Sequence, residues 1–218
     1  MHVTHLGHSC LLVEDAGSRL LIDPGTFSQG FEDLTGLDAV LVTHEHLDHL
    51  DAERLPRVLA ANPAARLIAE PSVAATLRQA GQAGQEAAGL AVGETVTLGA
   101  FTVEGVGGRH AVIHEDIPRV GNVGLLVRGA SGRTLFHPGD MLEAVPDGVD
   151  VLALPIAAPW AALKEMVGFV RAVRPAQTFP IHDAVLSAIG RQIYLRVLGR
   201  LLPQSTELLD LSTGPAQF

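Results

Sequence analysis

Residues 43–49 read Thr43-His44-Glu45-His46-Leu47-Asp48-His49 and place four metal-capable side chains, His44, His46, Asp48 and His49, within six residues. Imidazole and carboxylate together suit zinc, iron, manganese or nickel. The apolar run just before them, Asp38-Ala39-Val40-Leu41-Val42, reads as a buried strand bounded by a turn. The cluster therefore falls where a strand ends and a loop begins. Side chains alternate along extended chain, so His44 and His46 can point the same way while Glu45 points away. Asp48 and His49 follow the bend and can face a second ion.

The rest of the composition narrows the function. The chain has 218 residues, of which 47% are hydrophobic, enough to bury a substantial core as one domain, 1–218. Its longest stretch without a formal charge, Val151 to Leu163, contains Pro155 and Pro159 and falls far short of the roughly 20 residues of a membrane span. No basic segment followed by an apolar one opens the chain. The single cysteine, Cys10, cannot form an internal disulfide, and the expected location is the cytoplasm. A formal charge of −9 argues against a nucleic-acid groove, which needs clustered Lys and Arg. The expected partner is a small-molecule substrate; nothing in the sequence speaks to the oligomeric state.

Along the chain, 2–6, 10–14 and 19–23 read as an opening β-meander, and 26–37 as a loop that approaches the metal site. Ala52 to Ala61 reads as a helix capped by Asp51, and Ser72 to Ala80 as a second, with Arg66 to Ala69 a strand between them. Residues 81–94, rich in Gly, Ala and Gln, read as a loop plus a short strand. Strands follow at 95–98, 101–106, 122–128, 133–137, Val149 to Leu154 and Ala176 to Ile181. Helices follow at Ala161 to Val173 and Val185 to Leu201. The order gives two β-rich halves, each carrying helices.

The spacing H-x-H-x-D-H resembles the metallo-β-lactamase superfamily, and the resemblance extends over most of the chain. Leu6-Gly7-His8-Ser9 and the run from Leu20 to Gly25, before this motif, and Gly107-Gly108-Arg109-His110, His137-Pro138-Gly139-Asp140 and Pro180-Ile181-His182-Asp183, after it in the family's order, match its other motifs. The first two are similar to the small hydrolases that include ascorbate-6-phosphate lactonase-like proteins. The resemblance implies an α/β fold, a four-layer αββα sandwich, with two divalent ions, zinc foremost and manganese, iron or nickel also suitable. It implies that His44, His46 and His110 hold one ion, that Asp48, His49 and His182 hold the other, and that Asp140 bridges. It also implies that Asp48 orients the attacking water and takes its proton. The implied activity is hydrolysis of a small ester, lactone or phosphate ester. A phosphodiesterase or compact nuclease, and a non-catalytic metal-binding regulator, remain as alternatives. True zinc β-lactamases of the best-known class use a Cys at the second site, whereas the matching position here is Asp140, so antibiotic hydrolysis is not expected.

The residues alone leave several roles open. His110 competes with His114, four positions on, which can be a substrate contact or support a ligand. Asp140 alone reads equally as a turn Asp, and His182 as a strand-end His. Asp23, in Ile22-Asp23-Pro24-Gly25, can accept a hydrogen bond from a ligand His and set its tautomer, or simply cap a turn. His8 can reach the substrate or the metal site, and His137 can support a ligand or pack against a sheet. Trp160, the one tryptophan, can wall the pocket or belong to the core. Arg191, Arg196 and Arg200 read as a solvated helix face.

Overall fold

The computed structural model describes residues 1–81 and 87–218. The first half begins with β1 (His2–His5), β2 (Leu11–Asp15), β3 (Ser18–Ile22) and β4 (Ala39–Val42). It continues through α1 (Leu55–Ala61), β5 (Arg66–Ala69), α2 (Pro71–Ala80) and β6 (Ala88–Gly89). The second half holds β7 (Thr95–Leu98), β8 (Phe101–Arg109), β9 (Gly121–Gly129), β10 (Thr134–His137) and β11 (Val151–Pro155). α3 (Leu163–Val173), β12 (Gln177–Ile181), α4 (Ala188–Leu201), β13 (Glu207–Leu208) and β14 (Ala216–Gln217) complete it. The loop read at 81–94 falls partly on residues outside the described ones; its strand is β6.

Two mixed sheets result, ordered β14-β1-β2-β3-β4-β5-β6 and β13-β12-β11-β10-β9-β8-β7. β4 shows how sequence period becomes layers. Ala39 and Leu41 pack into the core between the sheets with Val13, Phe101, Val127 and Phe179. Val40 and Val42, on the opposite face, pack against Val58 of α1 and Leu77 of α2. A strand buried on both faces must be apolar throughout, which is why this run shows no polar alternation. The second sheet repeats the plan: Leu126, Phe136 and Leu152 pack against Met166 and Phe169 of α3 and Leu198 of α4. The outcome is the four-layer αββα sandwich.

Strand direction sets where the chemistry gathers. β1 is antiparallel to β2 and β2 to β3, while β3 runs parallel to β4. β1, β3 and β4 therefore run the same way, and His8, Asp23 and His44 follow their C-terminal ends. In the second sheet β8 and β10 are each antiparallel to β9, and β10, β11 and β12 are parallel. His110, Asp140, Trp160 and His182 thus follow the C-terminal ends of β8, β10, β11 and β12. Backbone hydrogen bonds join the two sheets at that end, from Val123 N to Thr43 O (2.9 Å) and from His182 N to His8 O (2.7 Å).

The helix boundaries correct several readings. Residues 52–54 form a turn, because the Asp51 carboxylate accepts from the backbone of Glu53 and Arg54 and holds Arg54 by its side chain, so α1 starts only at Leu55. α2 starts at Pro71, one residue before the expected Ser72, because Glu70 caps it by accepting from Ser72 N and Val73 N. α4 starts at Ala188 because the Ser187 hydroxyl accepts from Gly190 N. β8 and β9 are longer than expected, since Gly107 and Gly108 stay in the ladder opposite Val123 and Asn122. Arg191 is no solvated side chain: it pairs with Asp183 and Asp210, acids supplied by other segments. β13 and β14 have no two-residue periodicity long enough to read, and exist because β12 and β1 offer them an edge.

Gly168 lies in the interior of α3, exposed, and a Cβ built on it meets no heavy atom within 4 Å. Gly168→Ala should therefore stabilise the fold by about 0.5–1 kcal/mol, read as a higher urea midpoint with an unchanged slope.

Candidate metal centre

Two groups of donor atoms meet at the junction of the sheets. One comprises His44, His46, His110 and Asp140; the other comprises His8, Asp48, His49 and His182; within each group the donor atoms all lie within 4.8 Å of one another. Asp140 links the groups, with Oδ2 3.2 Å from the Nε2 atoms of both His110 and His182, and Oδ1 3.0 Å from His49 Nε2.

The imidazoles are oriented from behind. His49 Nδ1 donates to Asp23 Oδ2 (2.7 Å), His182 Nδ1 to Ala157 O (2.6 Å) and His110 Nδ1 to Ala111 O (2.7 Å). The Thr43 hydroxyl spends its one proton on Asp23 Oδ2 (2.7 Å) and so accepts from His44 Nδ1 (3.0 Å). Each ring thereby uses Nδ1 for its outer hydrogen bond and aims Nε2 inward, the arrangement that makes neutral imidazole a ligand.

Three of the inward atoms lack hydrogen-bond partners. His49 Nε2, Asp140 Oδ1 and His182 Nε2 are buried and make no aligned hydrogen bond, although the first two stand 3.0 Å apart. Buried polar atoms normally find partners. Lone pairs that converge without bonding one another fit a shared cation, and the donor set of imidazole and carboxylate has the chemistry for it.

Protonation divides the rings: burial keeps some neutral, while against burial the carboxylates raise His49 and also raise His182 to about 9. Burial holds His44 well below the usual imidazole range and lowers His46, so both rings are neutral. Burial penalises the Asp48 carboxylate, but His182 and His8 outweigh it and hold the group ionised. Asp140 is likewise driven well below the usual carboxylate range, the surrounding His49, His110 and His182 overcoming its burial. Burial opposes a charge on His49, yet Asp140 and Asp23 raise its pKa well above the ordinary value. A cation bound here would displace that proton.

Other residues shape the loops. Asn122 accepts from Asp140 N (2.9 Å) and donates to Pro138 O (3.0 Å), fixing the turn that presents Asp140. Gly139 in that turn has φ +60°, and a Cβ there would stand 2.4 Å from Asn122 Oδ1. Gly25 lies against the ligand loop: a Cβ would sit 1.8 Å from Asp48 O.

Of the sequence candidates, His8 enters the second group, its Nε2 3.0 Å from Asp48 Oδ2. Asp23 lies behind the site, holding Thr43 and His49. His137 is buried behind it as well, donating to Ser9 O (2.9 Å) and accepting from Gly139 N. Trp160 is partly buried and donates its indole N–H to Asp140 Oδ2 (3.1 Å). His114 joins neither group. It is exposed and faces Asp116, because the chain turns outward after Ala111. Sequence reasoning missed Thr43, Asn122 and Gly25. Thr43 abuts the motif and was open to notice; nothing local marks Asn122.

A family model for the β-lactamase superfamily domain matches residues 2–182. The chain belongs to that superfamily. Its fold is the metallo-β-lactamase one: the metallo-β-lactamase fold protein YhfI of Bacillus subtilis superposes with a TM-score of 0.74 at 14% identity, covering 99% of each chain. Protein Rv0786c of Mycobacterium tuberculosis is 49% identical over 94% of this chain and 93% of its own length. The UPF0173 metal-dependent hydrolase PYRAB05000 of Pyrococcus abyssi is 27% identical over 83% of each.

Two predictions test how this superfamily member builds its site. His110→Ala should lose metal from the first group, whereas His114→Ala should retain wild-type stoichiometry by elemental analysis. Gly25→Ala should lower both the melting temperature and metal retention, because its Cβ cannot coexist with the Asp48 carbonyl; a variant matching wild type in both would show that the loop moves freely.

Proposed function

We propose that the chain is a metal-dependent hydrolase that holds two divalent cations and acts on a small-molecule ester, lactone or phosphate ester. The convergence of two four-donor groups on one shared carboxylate, Asp140, carries this reading. The name of the archaeal relative supports it. His44, His46 and His110 would hold one ion, Asp48, His49 and His182 the other, with Asp140 between them. Zinc suits this set best, and manganese, iron and nickel are also compatible. Bound cations would supply an acidified water and polarise the substrate oxygen.

The chain's own groups do the rest. Asp48 is ionised and 18% exposed at its side chain, so it can reach solvent and accept the proton of an attacking water. His8 and His182 flank it at 3.0 and 3.4 Å and limit where it can point. Trp160 holds Asp140 Oδ2 by its indole N–H and limits where that carboxylate can point.

The substrate class favours a small molecule over nucleic acid, because the net charge of −9 repels a phosphate backbone. No helix among the described residues is long and apolar enough to cross a membrane. A cytoplasmic location is supported by Cys10, a lone and buried thiol.

The test is metal-dependent turnover on a panel of lactones, aryl esters and bis-aryl phosphodiesters. Chelation should abolish activity and added metal restore it. Asp48→Asn should reduce turnover by about 10²-fold, the usual loss for a general base, with the fold intact and reduced occupancy of the second group. Near-wild-type turnover in Asp48→Asn would remove Asp48 from the mechanism. Silence of the metal-loaded enzyme on every substrate would defeat the hydrolase reading for these classes.

A further inference from the structure

Trp160 has two surroundings. Its N–H meets Asp140 Oδ2 at 3.1 Å, and its ring lies edge-on to His110 and His182, with centroids 5.9 and 6.2 Å away. Trp160 also walls a groove of about 480 Å³ together with Ala111, Val112, Leu142, Gly168 and Phe169. That volume lies within the range of small-molecule sites, roughly 300–1,000 Å³. The groove is assembled from the loops that present the ligands: Val112 lies two residues after His110, Leu142 two after Asp140, and α3 follows the loop of Trp160. Val112 is 51% exposed, an apolar side chain left in water beside a polar centre.

The charges around the groove are one-sided. Glu143 and Glu165 line it and none of its lining residues is cationic. Glu143 is paired outward with Arg119, while Glu165 accepts from Ala162 N at the start of α3. An anionic substituent would meet Glu165 without a compensating cation; an apolar one would bury against Val112, Leu142 and Phe169.

We infer that this groove is the subsite for an apolar, non-anionic substituent of the substrate, with the Trp160 indole as the wall shared between it and the reacting centre. The inference rests on the hydrolase reading for the word substrate, but its test reads binding and does not require turnover. A second cavity, of about 720 Å³, borders His46 on the other side, lined by Leu47, Leu50, Thr76 and Leu77. It is the rival location for the same substituent.

The experiment uses the zinc-loaded full chain and aliphatic hydroxamates of two to eight carbons, which bind metal centres whatever reaction they catalyse. Binding is followed by the fluorescence of Trp160, the only tryptophan, and by calorimetry. Affinity should rise with chain length, by about fourfold for each methylene fully buried. Succinic monohydroxamate, with its terminal carboxylate, should bind more weakly than butyrohydroxamate. Gly168→Leu projects into the groove from a position with no heavy atom within 4 Å of its Cβ, and should flatten the dependence on length. Thr76→Phe, which narrows the rival cavity, should leave that dependence intact, and thermal melts of both variants establish that they fold. Equal affinity for short and long hydroxamates in wild type overturns the inference. So does a length dependence that survives Gly168→Leu but is lost in Thr76→Phe, or calorimetry that shows no hydroxamate binding at any length. Length-dependent binding without turnover of any ester, lactone or phosphodiester leaves the subsite standing and defeats only the hydrolase reading.

Discussion

The carboxylate of Asp23 is fully buried and makes three hydrogen bonds at once: to Thr43 N (2.8 Å), Thr43 Oγ1 (2.7 Å) and His49 Nδ1 (2.7 Å). A buried charge without partners is costly, so this geometry is strongly enforced. It fixes both ends of the ligand loop. Through the Thr43 hydroxyl it sets the His44 tautomer, and directly it sets that of His49. Asp23 itself sits at φ +47° just past β3, a backbone state few residues adopt willingly. The neighbouring Gly25 then allows the Asp48 backbone to pack against the same turn.

The rest of the centre depends on bringing the second sheet to this loop. The bond from Val123 N to Thr43 O and that from His182 N to His8 O join backbone to backbone across the layers. His137 adds a side-chain link from β10 to Ser9 O. These bonds set Asp140 where its two oxygens can serve both donor groups. His8 and His182 both carry positive φ, +50° and +59°. Strain of this kind persists where surrounding structure over-determines it, which is the usual setting of a functional site.

Much of this was legible beforehand because the ligands are short-range signals. His44, His46, Asp48 and His49 lie in one hexapeptide after a run apolar on both faces, and strand-end position follows from period and turn chemistry. The layered fold was legible chiefly through the family resemblance; the residues themselves gave β4 as a buried strand and two β-rich halves carrying helices. Helix starts were less legible: Asp51 accepts from the backbone of Glu53 and Arg54, as a cap would, yet the helix begins only at Leu55, and α2 is capped by the Glu70 carboxylate just before Pro71. Edge strands such as β13 and β14 are two residues long and take their structure from their neighbours.

The sequence by itself determined the donor chemistry, the strand-end placement of the first four ligands, the acidic charge and the two β-rich halves with their helices. Each depends on residue type and near-neighbour spacing. Only the tertiary structure decided between His110 and His114, since the choice turns on whether the chain bends outward after Ala111. It alone brought His8 to Asp48, placed the Trp160 N–H on Asp140, and called on Asn122 to hold the Asp140 turn. Those contacts join residues 18 to 40 positions apart. Their physical cause is the common direction of β1, β3, β4, β8, β10, β11 and β12, which delivers distant loops to one end of the sandwich.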